Sequence, residues 1–231
     1  MADPRRIALV IEAKTALGRG VIQGIAEYAR AHGPWVLFYD LRDPGAVLDR
    51  LHRCGCQGLI AQPETADQLD VLGQIKLPIV NVSNVLANAP YPLVTYDEAA
   101  IGRAAAGHLL ERGLKQFAFV GRSDTPYSVA RQKAFDAAVN DAGHAPVQSF
   151  TLRDGVDVCQ QLEQLIDWIV DLPAPIGIAA CDDEHARHVI EAARRAERHV
   201  PDQVAFVGVD DDPLIVQLAE PLLYSVKVTI E

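Results

Sequence analysis

The sequence predicts an α/β protein of two lobes, each built on a parallel sheet flanked by helices. Three observations carry that prediction. Short apolar runs alternate with amphipathic segments of helical period along the chain, the pattern of strand–helix–strand units. An Asn- and Pro-rich stretch, Ser83–Leu93, interrupts the alternation, and a fresh series begins near Gln116. Polar residues recur just past the apolar runs, where parallel α/β sheets bind their ligands. The lobes are placed at residues 1–113 with 226–231, and at 114–225.

The first strand is Ile7–Glu12. A helix from about Leu17 to His32 follows, with Val21, Ile22, Ile25, Ala26 and Ala29 on one face. Gly33-Pro34 stops it ahead of a strand at Trp35–Tyr39. Asp43-Pro44 opens a helix over Gly45–Arg53, because proline suits a first helical turn. Gly58–Ala61 reads as a short buried strand, Ala66–Ile75 as a helix, and Leu77–Val82 as a strand with Pro78 at its entrance. After the loop, a short extended segment at Leu93–Tyr96 leads to Asp97, which can cap a helix over Glu98–Arg112. Gly113 ends that helix.

The second series runs strand Gln116–Val120, helix Val129–Ala142 and strand Val147–Thr151. A helix is marked by Val158, Leu162, Leu165, Ile166 and Ile169. Strand Ile176–Cys181, helix Glu184–Arg198, strand Val204–Val209 and an extended piece at Leu222–Val226 complete it.

Composition narrows the function. The 231 residues are 49% hydrophobic and 23% charged, enough apolar material for a core. The formal net charge of −10 repels phosphate backbones, so this stretch by itself is not expected to grip DNA. No apolar run is long enough to cross a membrane. Met1–Arg6 leads into an apolar stretch too short for a secretory signal, so a cytoplasmic location is expected. Of the cysteines, Cys54 and Cys56 form a lone C-x-C without a second ligand pair, and Cys159 and Cys181 stand apart. Reduced thiols are expected rather than a zinc site.

The strand ends carry the functional signal. Glu12, Lys14, Asp40, Gln62, Ser83 and Asn84 close the strands of the first lobe. Arg122, Ser123, Asp124, Asp182, Asp183 and Asp210–Asp212 close those of the second, with Arg131 in the helix that follows. Carboxylates, amides and a guanidinium are the acceptors and donors that a polyol's hydroxyl groups require. Any one of them could equally be a helix cap or a solvated loop residue; their recurrence at every strand end is the weightier signal. Two facing lobes would put both sets on one cleft.

Four stretches carry a family resemblance: Val94–Gly102; Phe117–Gly121 with Arg131-Gln132-Lys133-Ala134-Phe135; Ala179–Ala186; and Val204–Asp211. They resemble the effector-binding module of the LacI/GalR repressors, the periplasmic binding protein-like I fold, and most of all the sensor half of the xylose-operon regulators of the AraC family. The resemblance implies a cytoplasmic regulator domain that is no enzyme. It would bind a small sugar, such as a pentose, without a cofactor or a metal, and act as a homodimer. It would reach DNA only through a separate domain, and would have no membrane partner. It further implies that Asp97 caps the hinge-side helix and reaches the ligand or stabilises the cleft, that Arg131 donates a forked pair of hydrogen bonds, and that Asp210 accepts from hydroxyls. Asp182 stands where the family often has Asn, which exchanges a donor–acceptor for an acceptor. Arg19 is a further first-lobe contact, or a solvated first-turn arginine, and Ser83 a strand-end contact. The family continues past Ser225-Val226, so a C-terminally truncated lobe is expected.

Other readings compete. Gly18-x-Gly20 after a strand, with Asp40 further on, suggests a dinucleotide site. However, five residues separate Glu12 from Gly18, too many for the tight first turn. Asp182, Asp183, His185 and His188 suggest a metal, though the histidines start a helix that the aspartates only precede. No Gly-x-Ser-x-Gly nucleophile elbow is present. A transporter's periplasmic sugar carrier shares the fold and is set aside only by the absent signal segment.

Overall fold

A computed structural model describes residues 3–39, 44–144, 147–153, 155–219 and 223–228. Asp40 and Asp43, assigned above to a strand end and a helix start, lie outside the described residues, as does Leu222. The chain's contacts divide it into two units, one up to Tyr96 and one from Asp97.

The first unit alternates β1 (Arg5–Val10), α1 (Ala16–His32), β2 (Trp35–Phe38), α2 (Pro44–Arg53), β3 (Gly58–Ala61), α3 (Ala66–Leu72) and β4 (Ile79–Asn81). Its sheet is parallel in the order β2-β1-β3-β4. Successive strand residues point to opposite faces. Leu9 and Ile11 accordingly meet Val21, Ile22 and Ile25 of α1, while Ala8, Leu59 and Ala61 meet Val47 and Leu51 of α2 and Leu72 of α3. Thr15 caps α1, its hydroxyl accepting from the Gly18 amide at 3.1 Å. A Cβ on Gly18 would lie 1.8 Å from the carbonyl oxygen of Glu12. This glycine therefore lets the helix press on the loop before it, a packing role in place of a phosphate-binding one. A capping box, Thr65 with Gln68, starts α3.

The second unit holds α4 (Glu98–Leu110), β5 (Phe117–Arg122), α5 (Pro126–Asp141), β6 (Gln148–Leu152), α6 (Val158–Asp171), β7 (Ile176–Ala180), α7 (Asp183–Arg195), β8 (Val204–Val209), α8 (Pro213–Leu218) and β9 (Ser225–Val226). The order is β6-β5-β7-β8-β9, again parallel. One face packs Val120, Ile178 and Phe206 on Leu165 and Ile169 of α6 and Val189 of α7. The other packs Phe117, Phe119 and Val207 on Leu109 of α4 and Phe135 of α5.

Two sequence expectations shift. The boundary expected after residue 113 moves to Tyr96/Asp97, because Ala105, Ala106 and Leu109 of α4 pack into the second unit's core. Val226 likewise pairs with Val209 in the second sheet, where a return to the first lobe was expected at 226. In addition, α8 was not anticipated; Asp212 caps it, its Oδ1 accepting from the Leu214 amide at 3.0 Å, and Pro213 occupies its first turn. Among the described residues no helix is long and apolar enough to cross a membrane.

Candidate functional site

The densest polar cluster lies at the C-terminal ends of β7 and β8 in the second unit. Arg131, on α5, is its anchor, with only 5% of its surface exposed. Its Nε donates to Glu98 Oε2 at 2.6 Å and its Nη1 to the Cys181 carbonyl at 2.5 Å. The Tyr127 ring lies one turn earlier, 5.1 Å from the guanidinium carbon. Burial disfavours the Arg131 charge, but Glu98 and Asp210 outweigh it and raise its pKa further. Glu98 holds this position because Asp97 caps α4, accepting from the Ala100 amide at 2.8 Å and leaving Glu98 on the buried side of the first turn.

Asp210 faces Arg131, its Oδ1 4.0 Å from Nη1. It sits at φ 107°, and Asp211 at φ 51°, in the region that side chains with a Cβ seldom occupy. The chain thus turns sharply off β8. Ser225 Oγ accepts from the Asp211 amide and Asp183 Oδ2 from the Asp212 amide, both at 2.9 Å, which hold the turn. Burial pushes the Asp210 carboxyl up to about 7 against the pull of Arg131, with Asp182, Asp183 and Glu98 adding to the rise. Burial also lifts Asp183 to about 6.

The raised value sets a pH dependence. From 3.8 to about 7 the native Asp210 keeps a proton that the unfolded chain has released, so stability falls as pH rises through that window. Asp210→Asn is expected to melt higher than the parent chain at about pH 8, with the difference vanishing near about pH 3. Melting curves at both values check it.

Asp182 behaves oppositely. It caps α7, its Oδ1 accepting from the His185 amide at 2.9 Å and meeting His185 Nδ1 at 2.5 Å, while Oδ2 accepts from the Tyr127 hydroxyl at 3.3 Å. Burial opposes its charge, but the His185 charge and hydrogen bonds win and hold it at about 2. The same attraction raises the His185 pKa against burial. The pair is thus Asp182 carboxylate with His185 imidazolium.

The first unit offers a different surface. A pocket of about 350 Å³ lies at the ends of β1 and β3, lined by Glu12, Lys14, Tyr39, Gln62, Glu64 and Gln68 among others. Buried Gln62 bridges it, accepting from the Glu12 amide at 3.2 Å and donating to Glu64 at 2.8 Å. Burial raises the Glu64 pKa.

Of the residues singled out from sequence, Arg131, Asp182 and Asp210 come together. Asp97 performs its cap with its side chain 68% exposed, paired loosely to Arg103 at 3.8 Å. Arg19 folds back on its own loop, donating to the Lys14 carbonyl at 2.7 Å. Ser83 is buried, and its hydroxyl accepts from the Val85 amide at 3.3 Å, a turn role. The four-residue metal arrangement does not assemble: Asp183 turns to the α8 cap, and His188 stands beside Arg187, its pKa lowered chiefly by burial. Asp183, named above at a strand end, and His185, named above only as a metal candidate, complete the cluster with Glu98 and Tyr127, which were not picked out from the sequence.

Residues 106–231 match the Periplasmic binding protein-like domain, and residues 6–100 match the XylR N-terminal domain. The chain belongs to the periplasmic binding protein-like family. Within that family it is 29% identical over 236 residues to a xylose operon regulatory protein of Haemophilus influenzae, covering 96% of this chain and 59% of the relative. It is 30% identical over 231 residues to the Escherichia coli protein of the same name, covering 96% and 58%. A solved structure of a xylose-binding transcription activator, xylR, superposes with a TM-score of 0.80 at 26% identity, over 98% of this chain and 59% of that one. The chain thus spans about three-fifths of the length of these relatives. The two-unit α/β architecture is that of periplasmic binding protein-like regulators.

Proposed function

We propose that this chain is the effector-sensing domain of a bacterial transcription regulator and that it takes a small sugar, a pentose such as xylose, at the strand ends of its second unit. One observation carries the reading. The Arg131 guanidinium is fixed by Glu98 and Cys181, yet its Nη2 makes no hydrogen bond among the described residues, and neither does the Asp210 carboxylate facing it. A guanidinium held rigid with Nη2 to spare, its Nη1 4.0 Å from the Asp210 carboxylate, suits two neighbouring hydroxyls of a sugar, with the Tyr127 ring supplying an apolar wall. The relatives named above are regulators, which favours this reading over a transporter's carrier of the same fold. In the whole protein the domain would be cytoplasmic and dimeric, with DNA contacted by a separate domain. Sugar would act by favouring one of two conformations.

Calorimetric titration with a panel of aldoses and ketoses tests the reading. Asp210→Ala is expected to weaken the best sugar by about tenfold to a hundredfold, the worth of a charge-assisted hydrogen bond. Affinity is expected to fall as pH drops below about 7, where the acceptor takes its proton, and Asp210→Asn to flatten that dependence. Undiminished affinity in Asp210→Ala ends the assignment.

A further inference from the structure

Next to the Arg131–Asp210 pair lies a second group that the sugar reading does not use. Among the described residues, Cys181 Sγ, a carboxylate oxygen of Asp182 and His185 Nδ1 lie within 4.8 Å of one another. The sulfur is 3.6 Å from Asp182 Oδ2 and 3.5 Å from His185 Nδ1. Zinc bound to sulfur at about 2.3 Å and to nitrogen or oxygen at about 2.0–2.1 Å in a tetrahedron separates those ligands by about 3.5 Å. Both contacts of the sulfur therefore already have the length that a metal would impose. The nitrogen also meets the carboxylate's other oxygen, Asp182 Oδ1, at 2.5 Å, a contact with a proton held between the two atoms. Rotation of the carboxyl group would open it once that proton left.

We propose that Cys181, Asp182 and His185 form a binding site for a borderline divalent cation of the zinc class. The ligand set argues for the class: a thiolate and an imidazole favour zinc, cobalt or copper over magnesium and calcium, which take oxygen. The charge balance argues for feasibility. Without metal the group holds a thiol, a carboxylate and an imidazolium, which sum to zero. With a divalent ion it holds a thiolate, a carboxylate and a neutral imidazole, which again sum to zero. The ion enters and two protons leave, one from sulfur and one from Nδ1, so no net charge is buried. The neighbouring Arg131 cation does not repel the ion unopposed, because Glu98 lies against it at 2.6 Å. Access is from the side of Asp182 and His185, whose side chains keep 16% and 17% of their surface while Cys181 has none. The Tyr127 hydroxyl, 3.3 Å from Asp182 Oδ2, or a water completes the shell.

Cobalt(II) is the probe, added to the purified, chelator-treated chain, and its readout is independent of any sugar. Saturation at one equivalent is expected, with a sulfur-to-cobalt charge-transfer band in the near ultraviolet and intense tetrahedral bands in the visible, both erased by zinc. Cys181→Ser is expected to abolish the charge-transfer band, while Cys54→Ser and Cys159→Ser keep it. His185→Gln leaves the thiol and the backbone cap of α7 in place, and is expected to weaken cobalt binding at least tenfold. Absence of the charge-transfer band in the parent chain overturns the proposal. So does its survival in Cys181→Ser, or parental affinity in His185→Gln.

Discussion

Glu98→Ala is expected to destabilise the second unit by about 3–5 kcal/mol, the cost of removing one partner from a buried ion pair. The reason is the burial of what remains. Both side chains are nearly enclosed, at 6% and 8% exposure, and the 2.6 Å contact offsets the desolvation of the Arg131 charge. Without Glu98 the guanidinium faces Asp210 at 4.0 Å and the Cys181 carbonyl, too little to replace it. Burying the pair is not itself the source of stability. Glu98→Leu combined with Arg131→Met is therefore expected to recover most of the loss, since an apolar pair of similar volume carries no desolvation penalty. Urea unfolding of the three chains, followed by circular dichroism, checks both statements. A loss below about 1 kcal/mol in Glu98→Ala would mean that Arg131 reaches solvent in a way its burial does not suggest.

Gly102→Ala is expected to cost about 1–3 kcal/mol, and more if the helices cannot part. A Cβ there would lie 2.2 Å from the carbonyl oxygen of Arg131 and 3.0 Å from the Ala134 Cβ. The obstacle is backbone, so α4 and α5 must separate, and α5 would carry Arg131 away from Cys181 and Asp210. Loss of sugar affinity should accompany loss of stability. Gly107→Ala, on the same helix, supplies the control. A Cβ there has no neighbour within 4 Å, and alanine favours helix over glycine by about 1 kcal/mol, so this variant is expected to melt higher. Equal melting temperatures for the two variants would show that the close approach of the helices is not what Gly102 serves.

Much of the architecture was legible because it is written locally. Alternating apolar and amphipathic runs specify strand and helix, and Asp97 and Gly113 act within a few residues of themselves. Arg131 and Phe135 were paired through the family resemblance, and α5 does bury both. What was not legible depends on distant partners. Glu98 looks in sequence like an exposed first-turn acid, and only the packing of α4 on α5 sets it against Arg131, 33 positions away. Asp183 reads as a neighbour of Asp182, yet its carboxylate turns toward β8, into the space that Gly208 leaves by having no side chain; a Cβ there would lie 2.3 Å from its Oδ1. The unit boundary failed likewise. Gly113 correctly stops a helix, but a local stop signal does not say which sheet that helix covers.

The turn after β8 places Asp210 in an unfavourable backbone region and holds its carboxyl reluctant to ionise. Recognition and robustness therefore pull in opposite directions at this one residue. A laboratory selection for heat tolerance alone would gravitate to position 210 and enrich Asn or Gly there. On the sugar-sensing reading, its hardiest survivors would be receptors blind to their effector, so any programme to toughen this domain needs a counter-screen for binding from its first round.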